Sequence, residues 1–266
     1  MYNSQRNLQA HFKPSQIKAK PRLLKELSKK MQPKLIITAD GSHSLFIEEL
    51  DEHYHSVHGA IQESNHVFIG AGLNKIITEN LGLKSGKATA INILEIGLGT
   101  GLNAFLTFME SAKLLVNIEY TAIEAYPVNV DLVRQLNYVE QLDSMAYTDV
   151  FNLIHSSEWE KPLALSKHFT LFKINKKLEE TIFKTKFDLI YFDAFGPRVQ
   201  PEMWGEEIFT KLFHVIAPGG CLVSYCAKGE VKRILKRVGF SVETLQGPPG
   251  KREMIRASKV TNLQWR

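Results

Sequence analysis

The chain has 266 residues, of which 44% are hydrophobic, and a formal net charge of +5. This composition is typical of a globular protein with one large or two unequal domains. No apolar run approaches the roughly 20 residues that span a membrane, and the polar N-terminus lacks a signal-peptide core, so we expect a cytoplasmic protein without membrane contact.

The positive charge is concentrated at the N-terminus. Residues 1 to 34 hold nine of the 33 Lys and Arg but only one acid, Glu26, which leaves 24 basic against 27 acidic residues elsewhere. The segment Ser15 to Met31 has the pattern of a short basic helix with a thin apolar stripe. Such an arm suits contact with phosphate backbones, and a solvated tail fits the charge equally well.

Two short apolar runs follow the arm. Leu35 to Thr38 and Leu45 to Ile47 are joined by Asp40-Gly41-Ser42, which predicts a β-hairpin. Five of the nine histidines lie between residues 43 and 66, but their spacing does not place metal ligands on one face of a helix. We therefore predict no metal site, and we expect these histidines to hydrogen-bond or stack around a site formed with the main domain.

From residue 76 onward, predicted strands and helices alternate. We assign residues 1–75 to an arm and N-terminal extension, and residues 76–266 to a main domain. The alternation predicts an α/β fold with a doubly wound, mostly parallel sheet. The predicted strands are Ile91 to Ile96, Ile118 to Glu124, Phe169 to Ile174, Phe187 to Phe192, Cys221 to Tyr225 and strands after Phe240; the predicted helices are Asn103 to Ser111, Asp131 to Leu142, Glu206 to Val215 and Gly229 to Val238.

The first of these strands runs into a glycine-rich turn. Glu95 is followed by Gly97, Gly99 and Gly101 on alternate positions, and a helix begins directly afterwards. Glycine is needed where a chain reverses sharply and its backbone approaches a ligand. The third glycine of a dinucleotide fingerprint is missing because Leu102 takes its place. The pattern E-x-G-x-G-x-G instead resembles motif I of the class I methyltransferases that bind S-adenosylmethionine, with a ligand-free turn as the alternative.

Three acids stand at predicted strand ends. They are Glu95, Glu124 and Asp193, and the carboxyl ends of parallel strands meet at one edge of the sheet. Glu124 lies 23 residues beyond Gly101, where a carboxylate can accept hydrogen bonds from ribose hydroxyls. The alternative is that a strand-end acid caps the following helix. The two cysteines, Cys221 and Cys226, lack metal-ligand spacing, and we interpret both as reduced packing residues.

The most specific signal begins at Asp193. The segment from Asp193 to Trp204 has the pattern D-x-F-x-P-x-x-x-P-E-M-W, and the segments Gly250 to Met254 and Tyr54 to Leu73 supply two further motifs in the same order. Together they resemble the methyltransferase half of the MnmC family, over about residues 36 to 258. The family's other half is an FAD-dependent oxidoreductase, so we expect this chain to perform methyl transfer only, with a separate oxidoreductase as a possible pathway partner.

The resemblance implies an activity and a set of site residues. The activity is methyl transfer from S-adenosylmethionine to 5-aminomethyl-2-thiouridine at the tRNA wobble position. It implies cofactor contacts from the glycine turn, Glu95, Glu124 and Asp193, and it makes Asp193 the catalytic residue that orients the amine and accepts its proton.

Contacts with the anticodon loop are expected from four further residues. Phe195 and Trp204 are candidates to stack on the wobble base, with core packing as the alternative for Trp204. Lys251 and Arg252 are candidates for phosphate contacts, with a solvated basic turn as the alternative.

The contact to the adenine ring is left open. The third strand of this fold often ends in an acid, but here Asn175, Lys176 and Lys177 follow it, and Asp149 is one possible substitute. Two other functions also stay open: a transferase for a polyamine or small-molecule amine, such as an aminopropyltransferase, and a non-catalytic module that binds RNA or S-adenosylmethionine.

The arm is directly testable. If residues 1–34 contact phosphates, their deletion should weaken tRNA binding and flatten its salt dependence, because each lost contact lowers the slope by about 0.9 or less. Titrations at several salt concentrations measure this, and cofactor affinity serves as the control. An unchanged slope after deletion would identify a tail.

Overall fold

The fold was derived from a computed structural model that describes residues 33–81 and 90–260. These described residues belong to one compact unit. The predicted helix from Ser15 to Met31, and nearly all of the predicted basic arm, lie outside the described residues. None of the helices in the described ranges has the length and apolarity needed to cross a membrane.

A small antiparallel sheet opens the described chain. It consists of β1 (Lys34–Ile37), β2 (His43–Ile47) and β3 (Glu52–His53), with a 3₁₀ turn at Glu48–Leu50. β1 and β2 pair in register across the Asp40-Gly41-Ser42 turn, which confirms the predicted hairpin.

A continuous helical segment follows the small sheet. It runs through α1 (Ala60–Ser64), a π-helical stretch (Asn65–Leu73) and α2 (Asn74–Leu81), so the domain boundary predicted after residue 75 falls within α2. Asp40 joins the hairpin to α1, because its carboxylate accepts the Gln62 N–H at 3.0 Å and the Ser42 N–H at 3.0 Å.

The main sheet has eight strands. They are β4 (Ile91–Ile96), β5 (Ile118–Ile123), β6 (Pro162–Ser166), β7 (Phe169–Ile174), β8 (Phe187–Phe192), β9 (Ile216–Ser224), β10 (Ser241–Gln246) and β11 (Glu253–Ser258). Their order across the sheet is β10-β11-β9-β8-β4-β5-β7-β6; the five central strands are mutually parallel, and β6, β10 and β11 pair antiparallel at the two edges. This arrangement confirms the predicted doubly wound, mostly parallel α/β fold with an N-terminal extension.

Helices cover both faces of the sheet. α3 (Leu102–Leu114) and the π-helical stretch share one buried cluster with Ile93, Tyr120 and Tyr191, while a second cluster on the opposite face contains Phe192, Trp204 and Phe209. The remaining helices are α4 (Val130–Val133), α5 (Tyr138–Gln141), α6 (Thr148–Ser156), α7 (Glu206–Val215) and α8 (Gly229–Val238).

Several predicted bounds match the structure, and two predicted elements differ from it. The helix expected over Asp131 to Leu142 is divided into α4 and α5, and the strand expected at Cys221 begins earlier, at Ile216. α6 and the edge strand β6 were not predicted; Pro162 is the first residue of β6, a position in an edge strand where proline is tolerated. Cys221 and Cys226 are both buried free thiols.

The order of the strands positions the site. From β4 the chain builds outward through β5 and β7, and it then returns to place β8 on the other side of β4. Ligands of open α/β sheets bind outside the carboxyl ends of the strands at such a switch point. Here that point lies between the ends of β4 and β8, where the glycine turn and Asp193 follow.

Candidate active site

The glycine turn has the backbone geometry that its sequence predicts. Gly97, Gly99 and Gly101 have φ angles of 88°, 49° and 73°, a region that side chains with a Cβ rarely adopt. A Cβ on Gly97 would lie 2.9 Å from the Asp193 carbonyl oxygen, and one on Gly101 would lie 2.5 Å from His155 Nε2. The three glycines therefore allow the end of β4 to approach its neighbours closely.

Glu124 braces this turn from the end of β5. One carboxylate oxygen accepts the Gly99 N–H at 3.1 Å, and the other accepts the Tyr126 N–H at 2.8 Å. The side chain is half-buried and lines the cavity above the turn. It is thus fixed by two backbone donors while its exposed edge faces a ligand site.

A cavity of about 190 Å³ lies over the ends of β4, β5 and β8. Its walls come from the glycine turn, from the segment after β5, from the segment after β7 and from the segment after β8. The lining includes Gly97, Gly99, Glu124, Tyr126, Lys176, Lys177, Leu178, Asp193 and Phe195. We call this the first cavity.

Asp193 stands where the first cavity meets a second one. Its N–H donates to the Ile96 carbonyl at 3.1 Å, and its Oδ2 accepts a hydrogen bond from Asn103 Nδ2 at 2.8 Å. Burial, together with the negative charge of Glu63, raises the pKa of Asp193 to about 7, although the Asn103 bond and Lys251 act in the opposite direction. A carboxyl with such a pKa can hold or release a proton near neutral pH.

The second cavity, of about 350 Å³, lies between Asp193 and the N-terminal extension. Its wall contains a charged pair in which Lys251 Nζ lies 2.5 Å from Glu63 Oε2 and 4.0 Å from the centre of the Tyr225 ring. Glu63 also accepts the Ser56 N–H at 2.9 Å, and the Tyr225 hydroxyl donates to the Ala194 carbonyl at 2.8 Å. The pair is therefore held in place close enough for both of its charges to affect the pKa of Asp193.

The N-terminal extension closes both cavities. Tyr54 packs edge-on against Phe195, with ring centres 5.0 Å apart, and both residues line both cavities. His55 is buried, and its Nε2 lies 2.7 Å from the Thr100 hydroxyl in the glycine turn. Burial lowers the pKa of His55 to about 4, so this histidine is neutral and serves as a hydrogen-bonding link.

Most of the predicted site residues line one or both of the two cavities. Gly97, Gly99, Glu124, Asp193 and Phe195 line the first cavity, and Lys251 lines the second. The side chain of Arg252 is 92% exposed outside both, in contact with Glu253 at 3.2 Å.

Two predicted site residues lie in the interior. Trp204 is 4% exposed, packs on Phe192 with ring centres 4.9 Å apart, and donates its indole N–H to the Phe195 carbonyl. Stacking of Trp204 on a base is therefore wrong, because its ring is part of the core. Glu95 is fully buried and lines neither cavity, so direct contact with a cofactor is not its role in this geometry.

Sequence reasoning missed several residues of the site. They are Tyr54, Glu63, Asn103, Gln200 and Tyr225. Glu63 lies within the segment Tyr54 to Leu73, which carries part of the family resemblance, and Asn103 lies directly after the glycine turn, so both had a local signal. Tyr225 had none, because its place depends on how β9 ends beside β8. Asp149 lies in α6 and does not line the first cavity, whereas Lys176 and Lys177 do.

Known proteins resemble this chain over most of its described part. Residues 138–260 match the profile of a family described as S-adenosyl-L-methionine-dependent methyltransferase. The chain is 31% identical over 214 residues to the tRNA 5-methylaminomethyl-2-thiouridine biosynthesis bifunctional protein MnmC of Ectopseudomonas mendocina, which covers 76% of this chain and 31% of that protein. Residues 138–260 are therefore similar to S-adenosyl-L-methionine-dependent methyltransferases, and a larger part of the chain is similar to MnmC.

Two further known proteins are similar to this chain. The MnmC protein of Leptospira interrogans is 28% identical over 217 residues, covering 78% of this chain and 32% of the relative. The crystal structure of MnmC2 from Aquifex aeolicus superposes with a TM-score of 0.66 at 22% identity, covering 90% of this chain and 76% of that one, and it supports the fold. The chain spans about a third of the length of the curated MnmC relatives that it matches.

The first cavity fits the cofactor of this methyltransferase family. A Cβ on Gly99 would lie 3.2 Å from Tyr54 Cδ1 and narrow the space above the turn. Glu124 presents a carboxylate at the end of β5, where it can accept hydrogen bonds from ribose hydroxyls, and the exposed Tyr126 and buried Leu178 offer apolar surface for an adenine ring. These residues would hold S-adenosylmethionine with its methionine part over the glycine turn.

The charges around Asp193 predict that two substitutions shift its pKa in opposite directions. Glu63→Gln should lower the pKa of Asp193 below about 7, because it removes a negative charge that disfavours ionisation; Lys251→Met should raise that pKa. A ¹³C-carboxyl NMR titration measures both. Glu52→Gln is the matched control, since Glu52 lines the same cavity but pairs with Arg198 at 3.1 Å. Shifts of the same sign in both variants would contradict this electrostatic account.

Proposed function

We propose that this protein transfers a methyl group to the exocyclic primary amine of 5-aminomethyl-2-thiouridine at the wobble position of tRNA. The observation that carries the proposal is the meeting of two cavities at one carboxyl group, Asp193. The first cavity fits S-adenosylmethionine, and the second gives an amine access to the same carboxyl. The names of the curated relatives supply the nucleoside.

Asp193 would act on the amine in the second cavity. When bound, S-adenosylmethionine supplies an electrophilic methyl group. An alkylammonium ion has a pKa near that of Lys, about 10.4, so the enzyme must remove a proton before the nitrogen can attack. The ionised carboxylate of Asp193 can orient the amine and accept that proton, and its pKa of about 7 matches the working pH of a general base.

Positioning should supply much of the rate. The two cavities share the wall formed by Asp193, Ala194 and Phe195, so two ligands would approach each other across these residues. Holding two reactants in line is worth roughly 7 to 11 kcal/mol in favourable cases. Phe195 is half-buried between the cavities and is the aromatic candidate to contact the uracil ring, since Trp204 is buried in the core.

A second substrate class has one observation in its favour. The second cavity contains the acids Asp51, Glu52, Glu63 and Asp193, which suits a polyamine or another small amine. Glu63 is paired with Lys251 and Glu52 with Arg198, so the two pairs neutralise part of this charge. Arg198 also lies 4.0 Å from Asp51, so among the described residues Asp193 is the one of these four acids without a cation within 4 Å. One unpaired carboxyl suits a single ammonium group better than a polycation, and this favours the nucleoside.

The proposal extends to the surroundings of the reaction. Lys251 lines the second cavity and Arg252 is exposed next to it in the chain, which supports both as candidates for contacts with phosphates of an anticodon loop. We assign the supply of the primary amine to a separate FAD-dependent oxidoreductase as a pathway partner in the cytoplasm. Our proposal for this chain covers methyl transfer alone.

The substrate can be identified by mass spectrometry of wobble nucleosides. Cells that lack this protein should accumulate 5-aminomethyl-2-thiouridine and lose its methylated form. Re-expression of the wild type should restore the methylated nucleoside. An unchanged nucleoside profile would refute the tRNA substrate, and methylation of free polyamines by the purified protein would support the second class.

The chemistry can be isolated at one side chain. Asp193→Asn keeps the size of the side chain but removes the proton acceptor, so the rate should fall by about 10²- to 10⁴-fold while S-adenosylmethionine and tRNA still bind. The wild-type rate should rise with pH through about 7 as Asp193 ionises. The variant should lack that rise and recover part of its rate between about pH 8 and 10, where the free amine becomes commoner.

The control for this experiment is Asp131→Asn, an acid on α4 whose side chain is 82% exposed. It should keep both the rate and the pH profile of the wild type. A near-normal single-turnover rate of Asp193→Asn at pH 7 would return the assignment to another residue.

A further inference from the structure

Glu95 is a buried acid that the proposed chemistry does not use. It is 0% exposed, and neither of its carboxyl oxygens has a hydrogen-bond partner among the described residues. Six other buried side-chain atoms of the described residues share this property, and two of them, Asn103 Oδ1 and the Tyr120 hydroxyl, belong to neighbours of Glu95. Buried polar atoms are nearly always hydrogen-bonded, so a group of unpaired ones in a single region requires an explanation.

These groups lie on one face of the sheet. Side chains alternate along a strand, so Glu95 points to the same side as Ile93, whose cluster includes Tyr120 of β5 and residues of α3. Asn103 is in the first turn of α3, which covers this face, and it is 2% exposed. Asn103 and Tyr120 are polar neighbours that act on the Glu95 carboxyl, and no N–H or O–H of theirs is hydrogen-bonded to it in this structure.

Asn103 connects this buried group to the active site. Its Nδ2 donates to Asp193 Oδ2 at 2.8 Å, while its Oδ1 points into the interior without a partner. An amide has one donating and one accepting end. If it rotated by half a turn, its oxygen would face the Asp193 carboxylate, and two acceptors would meet. The amide thus needs a donor on its Oδ1 to stay in the useful orientation.

We propose that Glu95 is kept as a neutral carboxylic acid whose O–H donates to Asn103 Oδ1, and that it thereby fixes the amide that orients Asp193. The Tyr120 hydroxyl, which also lacks a hydrogen-bond partner among the described residues, belongs to the same buried cluster as Ile93. Glu95 and Asn103 are positioning residues, and Asp193 remains the group that meets the substrate. The role in orienting a catalytic base rests on the proposed function, whereas the protonation of Glu95 does not.

The surroundings of Glu95 favour the neutral form. Burial and the negative charge of Asp193 raise its pKa well above the usual value, and Glu124 acts in the same direction. The polar groups of Asn103 and Tyr120 oppose this rise. Burial and Glu63 also raise the pKa of Asp193, while the Asn103 hydrogen bond and Lys251 favour its ionised form. The positive charge of Lys251 and the amide N–H of Asn103 thus favour the negative charge on Asp193, and the surroundings of Glu95 favour its neutral form.

Infrared spectroscopy tests the protonation directly. With ¹³C-labelled Glu, the ligand-free wild type at pH 7 should show a protonated carboxyl C=O band that Glu95→Gln removes. Glu124→Gln is the matched control, because that acid is half-buried and its loss should leave the band in place. If no protonated band disappears in Glu95→Gln, Glu95 is ionised and the proposal is overturned, whatever the enzyme methylates.

Kinetics test the positioning role. Glu95→Gln retains a neutral donor for Asn103 Oδ1 and should keep the wild-type pH–rate profile, whereas Glu95→Leu should shift the profile upward by about one pH unit and lower kcat about tenfold. The affinity for S-adenosylmethionine, measured by calorimetry, should be unchanged in both. Asn103→Leu should reproduce the effect of Glu95→Leu, and the double variant should be no worse than either single one.

The outcomes separate the two proposals. A wild-type pH profile in Glu95→Leu, or additive losses in the double variant, would overturn the positioning role. If Glu95→Leu does not fold, Asn103→Leu and the rescue by Glu95→Gln decide the same question. If the wild type methylates no tRNA or amine, the proposed function fails, and the infrared band alone decides the state of Glu95.

Discussion

The site depends on backbone contact between the ends of two neighbouring parallel strands. The Asp193 N–H donates to the Ile96 carbonyl, and the Asp193 carbonyl lies so close to Gly97 that a Cβ there would be 2.9 Å away. This contact lies at the switch point of the sheet, because β5 and β7 lie on one side of β4 and β8 lies on the other. It places the floor of the first cavity and the carboxyl of Asp193 within one rigid unit.

The N-terminal extension completes what the sheet begins. The sheet alone provides the glycine turn, Glu124 and Asp193, but Tyr54, His55 and Glu63 come from the residues before β4. Asp40 ties the hairpin to α1, and the His55 contact with Thr100 ties it to the turn. A site assembled in this way requires both parts of the chain to pack before the second cavity exists.

The sequence predicted the parts of the fold whose signals are local. The bounds of β4, β7, β8, α7 and α8 follow from uninterrupted apolar periodicity between clear end signals, and the glycine turn follows from its spacing. Trp204 and Glu95 were expected to contact ligands but are buried, and the reason is the same for both. A motif shows which residues are present but not whether their side chains point to the core or to a cavity. Asn103 and Tyr225 escaped notice because their roles come from neighbours about 90 and 31 positions away, Asp193 and Ala194.

The π-helical stretch from Asn65 to Leu73 has a consequence for how related sequences should be aligned. A wide turn contains one more residue than an α-helical one, and each residue rotates a helix by about 100°. Glu63 lies before this stretch and Leu73, which is fully buried, lies at its end. The number of residues between Glu63 and Leu73 therefore sets the angle between the directions of these two side chains around the helix axis. In a homologue with one residue fewer between these positions, the acid at the position of Glu63 would point away from the second cavity, even if all the residues of the motif were the same.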